Sequence, residues 1–105
     1  MSSTKEYLEF ILEQLSQLGN ISYRPMMGEY IIYYRGKVVG GIYDDQFLVK
    51  PTQSALALMP EVNRELPYPG GKEMLQVDGL EDKAFLQKLF AALYDELPVT
   101  KKKQQ

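Results

Sequence analysis

The sequence contains no cysteine and no histidine. These absences exclude thiolate nucleophiles, Ser-His and Cys-His pairs, disulfides, Cys/His zinc sites and any imidazole titrating near neutrality. No stretch approaches the roughly 20 apolar residues of a membrane span. The apolar positions after Met1-Ser2-Ser3-Thr4-Lys5-Glu6 are interrupted by Glu9, Glu13 and Gln14, which leaves no signal-peptide core. The expectation is a soluble cytoplasmic protein with no membrane contact. An excess of positive charge is also missing, since 12 Lys and Arg stand against 14 Asp and Glu, for a net charge of −2. Without Lys101, Lys102 and Lys103 the remainder is more acidic still and repels a nucleic-acid backbone. Direct nucleic-acid binding is therefore the least favoured activity.

What is present is the make-up of one ordinary domain: 105 residues, 45% hydrophobic and 25% charged. A chain of this size buries about 65% of its extended surface on folding, so its core needs no metal or disulfide staple.

Residues 3–18 carry the clearest helical period. Leu8, Ile11, Leu12, Leu15 and Leu18 recur at three- and four-residue steps, with Glu6, Glu9, Glu13 and Gln17 on the other side. Ser3 with Glu6 fits a capping box, and Gly19 suits a left-handed stop. From Ile21 to Pro51 the period falls to two, and β-branched and aromatic residues form short runs broken by Gly and Asp. This predicts strands at 22–27, 29–35, 37–43 and 46–50. Pro25 confines the first to an edge or a bulge because it cannot donate to the ladder. Connections as short as Arg35-Gly36-Lys37 and Asp44-Asp45 force antiparallel neighbours, giving a meander.

Thr52 caps a predicted short helix through Met59 that Pro60 closes. Residues 60–71 are expected as a loop with a Pro67-Tyr68-Pro69-Gly70-Gly71 turn signature. A further strand at 72–77 turns Leu75 and Val77 inward. Asp78 with Glu81 offers a second cap, with Asp82 as its rival. The helix beyond places Leu86, Leu89, Phe90, Leu93 and Leu97 on one face until Pro98 stops it. The expected fold is α+β: one two-layer domain over residues 1–98, an antiparallel meander sheet flanked by N-terminal, middle and C-terminal helices, with a disordered Lys-rich tail over 99–105. One face of the sheet lies under the helices and the other opens to water or a partner.

That second face draws attention to the tyrosines. In residues 29–35, Tyr30, Ile32 and Tyr34 point one way and Ile31 and Tyr33 the other, so neither face is polar. Such strands make a recognition surface, because Tyr joins a rigid apolar body to a polar tip; the plainer account is a sheet core whose phenols reach water. Gly40-Gly41 within a strand signals a bulge, a close backbone or ligand approach, or room for neighbouring Tyr rings. Arg24, Arg35, Lys37 and Lys50 are interspersed with Glu29, Asp44 and Asp45, so no phosphate groove emerges. Gly70-Gly71-Lys72 fails as a phosphate loop, since Glu73 follows where Ser or Thr is needed and a strand follows where a helix N-terminus is needed. Asp44-Asp45 reads as turn chemistry rather than paired catalytic carboxylates or a hard-cation site. No enzyme, metal or cofactor is expected.

The stretch Arg24-Pro25-Met26-Met27-Gly28-Glu29-Tyr30-Ile31-Ile32-Tyr33-Tyr34-Arg35-Gly36, continued by Gly40, Asp44, Leu48 and Lys50, resembles the signature of the TfoX N-terminal domain family. The family motif runs Arg, Met, commonly Phe, then Gly-Gly-Tyr; here Met27 stands for the aromatic and Glu29 for the second Gly. The resemblance implies a compact domain grouped with secretion-chaperone-like folds. It also implies regulation of natural competence, in which a two-domain protein acts with a transcription activator at promoters. The C-terminal helical domain of those longer proteins has no expected counterpart after Pro98. The matched Arg24, Met26, Gly28, Tyr30, Gly36, Asp44 and Lys50, with Tyr33 and Gly40, are the candidate binding residues, and each is equally open to a fold-determining role.

The leading expectation is a non-enzymatic regulatory or adaptor domain that acts by contact with a protein partner and forms a homodimer. The alternative is an anionic small molecule held between sheet and helix by Arg24 and Lys50, with tyrosine walls.

Overall fold

The computed structural model describes residues 3–97. The stop at Pro98 and the Lys-rich tail thus fall outside the described residues. Helix α1 (Lys5–Gln14) forms where its apolar stripe can be buried, with Leu8 and Ile11 fully inside and Leu15 following at the C-cap. Its N-cap is Thr4, not Ser3: the Thr4 hydroxyl accepts from Tyr7 N at 3.1 Å. Ser3 is occupied elsewhere, donating to Glu29 Oε1 at 2.6 Å and accepting from Asp45 N at 3.1 Å. The helix ends short of Leu18 in turns, and the chain reverses through Gly19 (φ 70°) and Asn20 (φ 57°).

The meander consists of β1 (Ile21–Met26), β2 (Glu29–Tyr34), β3 (Lys37–Ile42) and β4 (Phe47–Val49), all antiparallel. Each hairpin turns on two residues with positive φ: Met27-Gly28 (53°, 87°), Arg35-Gly36 (53°, 82°) and Asp44-Asp45 (53°, 57°). This is the primed-turn pattern, whose twist matches that of the flanking strands. In the last hairpin, Tyr43 and Gln46 exchange backbone bonds of 2.9 and 3.0 Å around the two aspartates. Between β2 and β3 the register slips: Ile32 faces Gly40 and Tyr33 faces Val38, so Val39 is the extra residue of a bulge. Val39 is fully buried there.

Helix α2 (Gln53–Leu58) is capped by Thr52, which accepts from Ala55 N at 3.2 Å. The segment expected as loop from 60 to 71 contains a short strand, β5 (Arg64–Glu65), which pairs with β6 (Met74–Gln76). Two residues carry no detectable period, and only their partner makes them a strand. Helix α3 (Lys83–Glu96) takes Asp82 as its cap, accepting from Phe85 N at 3.0 Å, while Asp78 accepts from the adjacent Gly79 N. The sheet order is β1-β2-β3-β4-β6-β5, which leaves Pro25 on an edge strand.

All three helices contribute to one core on one face of the sheet. Leu8, Ile11 and Leu15 of α1, Ala55 and Met59 at α2, and Leu86, Leu89, Phe90 and Leu93 of α3 meet Ile32, Tyr34, Val39, Ile42, Phe47, Val49, Leu75 and Val77. Tyr34 belongs to this core, edge-on to Phe90 at 5.6 Å and to Tyr94 at 5.9 Å.

Candidate functional site

The face turned away from the helices is organised by strand register. Arg24 pairs with Ile31, Ile31 with Gly41, Gly41 with Leu48 and Leu48 with Gln76, so these five residues cross the sheet in one row. A second row runs Ser22, Tyr33, Val38. Contrary to expectation, this outer face is only half open. Leu48 is completely buried although it lies outside the helix-side core. The segment following β5 lies beside this face as well: its Tyr68 ring meets Tyr43 edge-on at 6.4 Å, which brings residues 67–73 near β3 and β4. Gly41 makes space for Tyr43, because a Cβ there would stand 2.7 Å from the Tyr43 ring. Gly71 does the same for Tyr68, at 2.8 Å.

A cleft of about 590 Å³ remains between this segment and the sheet. Ile31, Val38 and Met74 supply apolar lining, Tyr43 and Tyr68 aromatic lining, and Lys50, Lys72 and Glu73 its charge. Burial pushes the Tyr43 phenol above its ordinary value of 10.0, and the nearby Tyr68 and Glu29 add to the shift. Ile31 and Val38, at the border of the cleft, and Tyr33 beyond it are half-buried, and Arg24 and Met26 on the open half are exposed.

The nine candidate residues separate accordingly. Arg24, Met26 and Tyr33 share the open half; Lys50 and Gly40 line the cleft. Arg24 is not among the cleft's lining residues, and the cleft is bounded by a loop rather than a helix, so it does not bring Arg24 and Lys50 together between sheet and helix as expected. A separate cavity of about 520 Å³ does lie between α1 and β1, lined by Leu12, Leu15 and Tyr23, and includes neither cation. Tyr30 faces the helix side, half-buried with Tyr23 edge-on at 5.8 Å. Gly28 and Gly36 occupy left-handed turn positions. Gly28 O also accepts from Ser3 N at 3.0 Å, and Asp44 N donates to Glu29 Oε1 at 3.1 Å. Gly28 and Asp44 therefore belong to a clamp holding the start of the chain against two hairpins. Asp45 completes it, accepting from Thr4 N at 2.8 Å. The sequence carries no sign of Tyr43 or Met74 at a site; Tyr68 enters there only through the Pro67 to Gly71 turn signature and Lys72 only through the rejected phosphate loop, and neither signal tells where the segment folds.

Among the described residues no cluster of three or more acidic side chains could hold a metal ion, and no helix is long and apolar enough to cross a membrane. The family model of the TfoX N-terminal domain matches residues 13–96, from the end of α1 to the end of α3. The chain belongs to the TfoX N-terminal domain family. A relative, the uncharacterized 12.7 kDa protein in the trpE 5′ region of Spirochaeta aurantia, is 31% identical over 86 residues, covering 80% of this chain and 73% of the relative. The match spans all six strands and α3, so the open rows and the loop-covered cleft both lie within the TfoX domain proper.

Proposed function

We propose that this TfoX N-terminal domain is a non-enzymatic regulatory module of the cytoplasm that works by protein contact, pairing with a second copy of itself through the open half of its outer sheet face. One observation carries the proposal. Ile31, Tyr33 and Val38 form an apolar patch on a face the core does not need, beside exposed Arg24 and Met26. Aromatic, Met and Arg side chains around a small apolar centre are the composition of contact surfaces. Pro25 on β1 removes a donor from the free edge, which favours pairing across the face over pairing along the edge. Family membership supports a regulatory role of the competence type.

Light scattering tests this. At about 100 µM, well above the dissociation constants usual for specific complexes, the protein should be a dimer burying on the order of 1,600 Å² in total. Tyr33→Lys, at a half-buried site outside the core, should yield a monomer with an unchanged circular dichroism spectrum. A monomeric wild type at that concentration refutes the pairing.

A further inference from the structure

We infer that the cleft between the outer sheet face and residues 67–73 is a binding site for a small aromatic carboxylate. The cleft's own lining carries this inference; the cleft shares Ile31 and Val38 with the self-pairing patch, whereas Tyr33 belongs to the patch alone, so Tyr33→Lys tests the pairing without altering the cleft.

The first argument is size and lining. About 590 Å³ lies within the roughly 300–1,000 Å³ of small-molecule sites, and an apolar floor with a few placed polar groups is their usual construction. Ile31, Val38 and Met74 provide that floor.

The second argument is shape. The Tyr68 ring rests against the bare backbone of Gly71 and meets Tyr43 edge-on, so the aromatic walls are held before any ligand arrives. Tyr43 is in turn fixed over Gly41. Rigid rings of this kind accept a flat aromatic guest in offset or edge-on contact.

The third argument is charge. Lys50 is half-buried at the end of β4, with its backbone N–H donating to Val39 O at 3.0 Å, so its stem starts from a rigid element. Lys72 is exposed and also lines the cleft. Among the described residues neither ammonium has an ion-pair partner, whereas Glu73 lies 4.0 Å from Arg64. Two ammonium groups attract an anion, and Glu73 at the rim disfavours a second negative charge on it. A singly charged carboxylate on an aromatic body satisfies both conditions; a phosphate satisfies only the first.

The experiment is a titration of the full ¹⁵N-labelled chain with indole-3-acetate, with the uncharged indole-3-acetamide and with inorganic phosphate. Indole-3-acetate should give saturable shifts at the amides of Ile31, Val38, Lys50 and residues 68–74 (Pro69 excepted), with a dissociation constant below about 1 mM. Lys50→Gln should weaken it about tenfold, the effect of losing one charge-assisted hydrogen bond. Lys72→Gln, at an exposed site with no structural partner, should weaken it in the same direction. Absence of saturation at about 10 mM, shifts mapping elsewhere, equal affinity for the amide or for phosphate, or indifference to both lysine substitutions would each overturn the proposal.

Discussion

Alanine at Gly40 adds one methyl group where the chain leaves no space for it. The new Cβ would collide with Leu48 O, stand 2.7 Å from Val49 Cα and 2.9 Å from the Leu48 carbonyl carbon. All three are backbone atoms of β4, so no rotamer change relieves the clash. Strand β4 must move away from β3, and with it the Lys50 N–H bond to Val39 O, at 3.0 Å, that extends this pairing. Overpacking a core typically costs about 1–3 kcal/mol, and the absence of any side chain able to yield places this case near the upper limit. A loss of about 3 kcal/mol is a large part of the 5–15 kcal/mol available to a domain. For a domain of this size it lowers the melting temperature by roughly 12–24 °C. Urea unfolding followed by circular dichroism measures it directly. Gly36→Ala is the control: a Cβ there meets nothing within 4 Å, and only the positive φ of 82° opposes it, at about 1 kcal/mol. If Gly40→Ala proves no more destabilising than Gly36→Ala, the close β3–β4 pairing at Gly40 is wrong.

The remaining predictions concern a turn, a cap and two phenols. Met27 is 95% exposed and held at φ 53° next to Gly28, so Met27→Asn should stabilise by about 0.5–1 kcal/mol, seen as a higher urea midpoint with unchanged slope. Asp82→Ala removes the acceptor for Phe85 N and should cost about 1 kcal/mol in the same assay, while Asp78→Ala should cost clearly less. Burial raises the phenols of both Tyr7 and Tyr43 above 10.0, so the unfolded chain ionises them first. Their contribution to stability is complete below about pH 10 and is lost as pH rises towards the folded values, a decline that Tyr7→Phe and Tyr43→Phe should each reduce.

Local period and turn length made much of this fold legible. The stripe from Leu8 to Leu15 and the alternation through Tyr34 express contacts with one continuous core, so each apolar position reports the same burial. The hairpins follow from connections too short for anything else. Cap assignment was ambiguous where chemistry was degenerate: of the adjacent hydroxyls Ser3 and Thr4 it chose the wrong one, and of Asp78 and its rival Asp82, which both precede the same helix, the structure uses the rival. Only the competing partner decides, and for Ser3 that partner is Glu29, 26 residues away. The loop-covered cleft was illegible for the same reason at larger scale. Nothing near Tyr68 announces that its ring will meet Tyr43, because that contact joins two parts of the chain whose local signals are merely a turn and a strand end.

Glu29 shows how a departure from the family motif is absorbed. Where the motif has a second Gly, this chain places a carboxylate at the start of β2, beside the open face. An unpaired anion there would discourage apolar pairing. Instead Glu29 Oε1 accepts from both Ser3 Oγ and Asp44 N, drawing the carboxylate to the hairpin end and tying the approach to α1 to the β3–β4 turn. Ser3 is correspondingly buried, at 8% exposure. The negative charge is thus committed to a contact inside the molecule, next to the Met27-Gly28 turn. Arg24, Ile31 and Tyr33, further along the strands, remain on a face whose cross-strand neighbours Ser22, Val38 and Gly41 carry no negative charge. A glycine at position 29 would leave Ser3 and Asp44 N without that acceptor, loosening the clamp while the open face kept its composition.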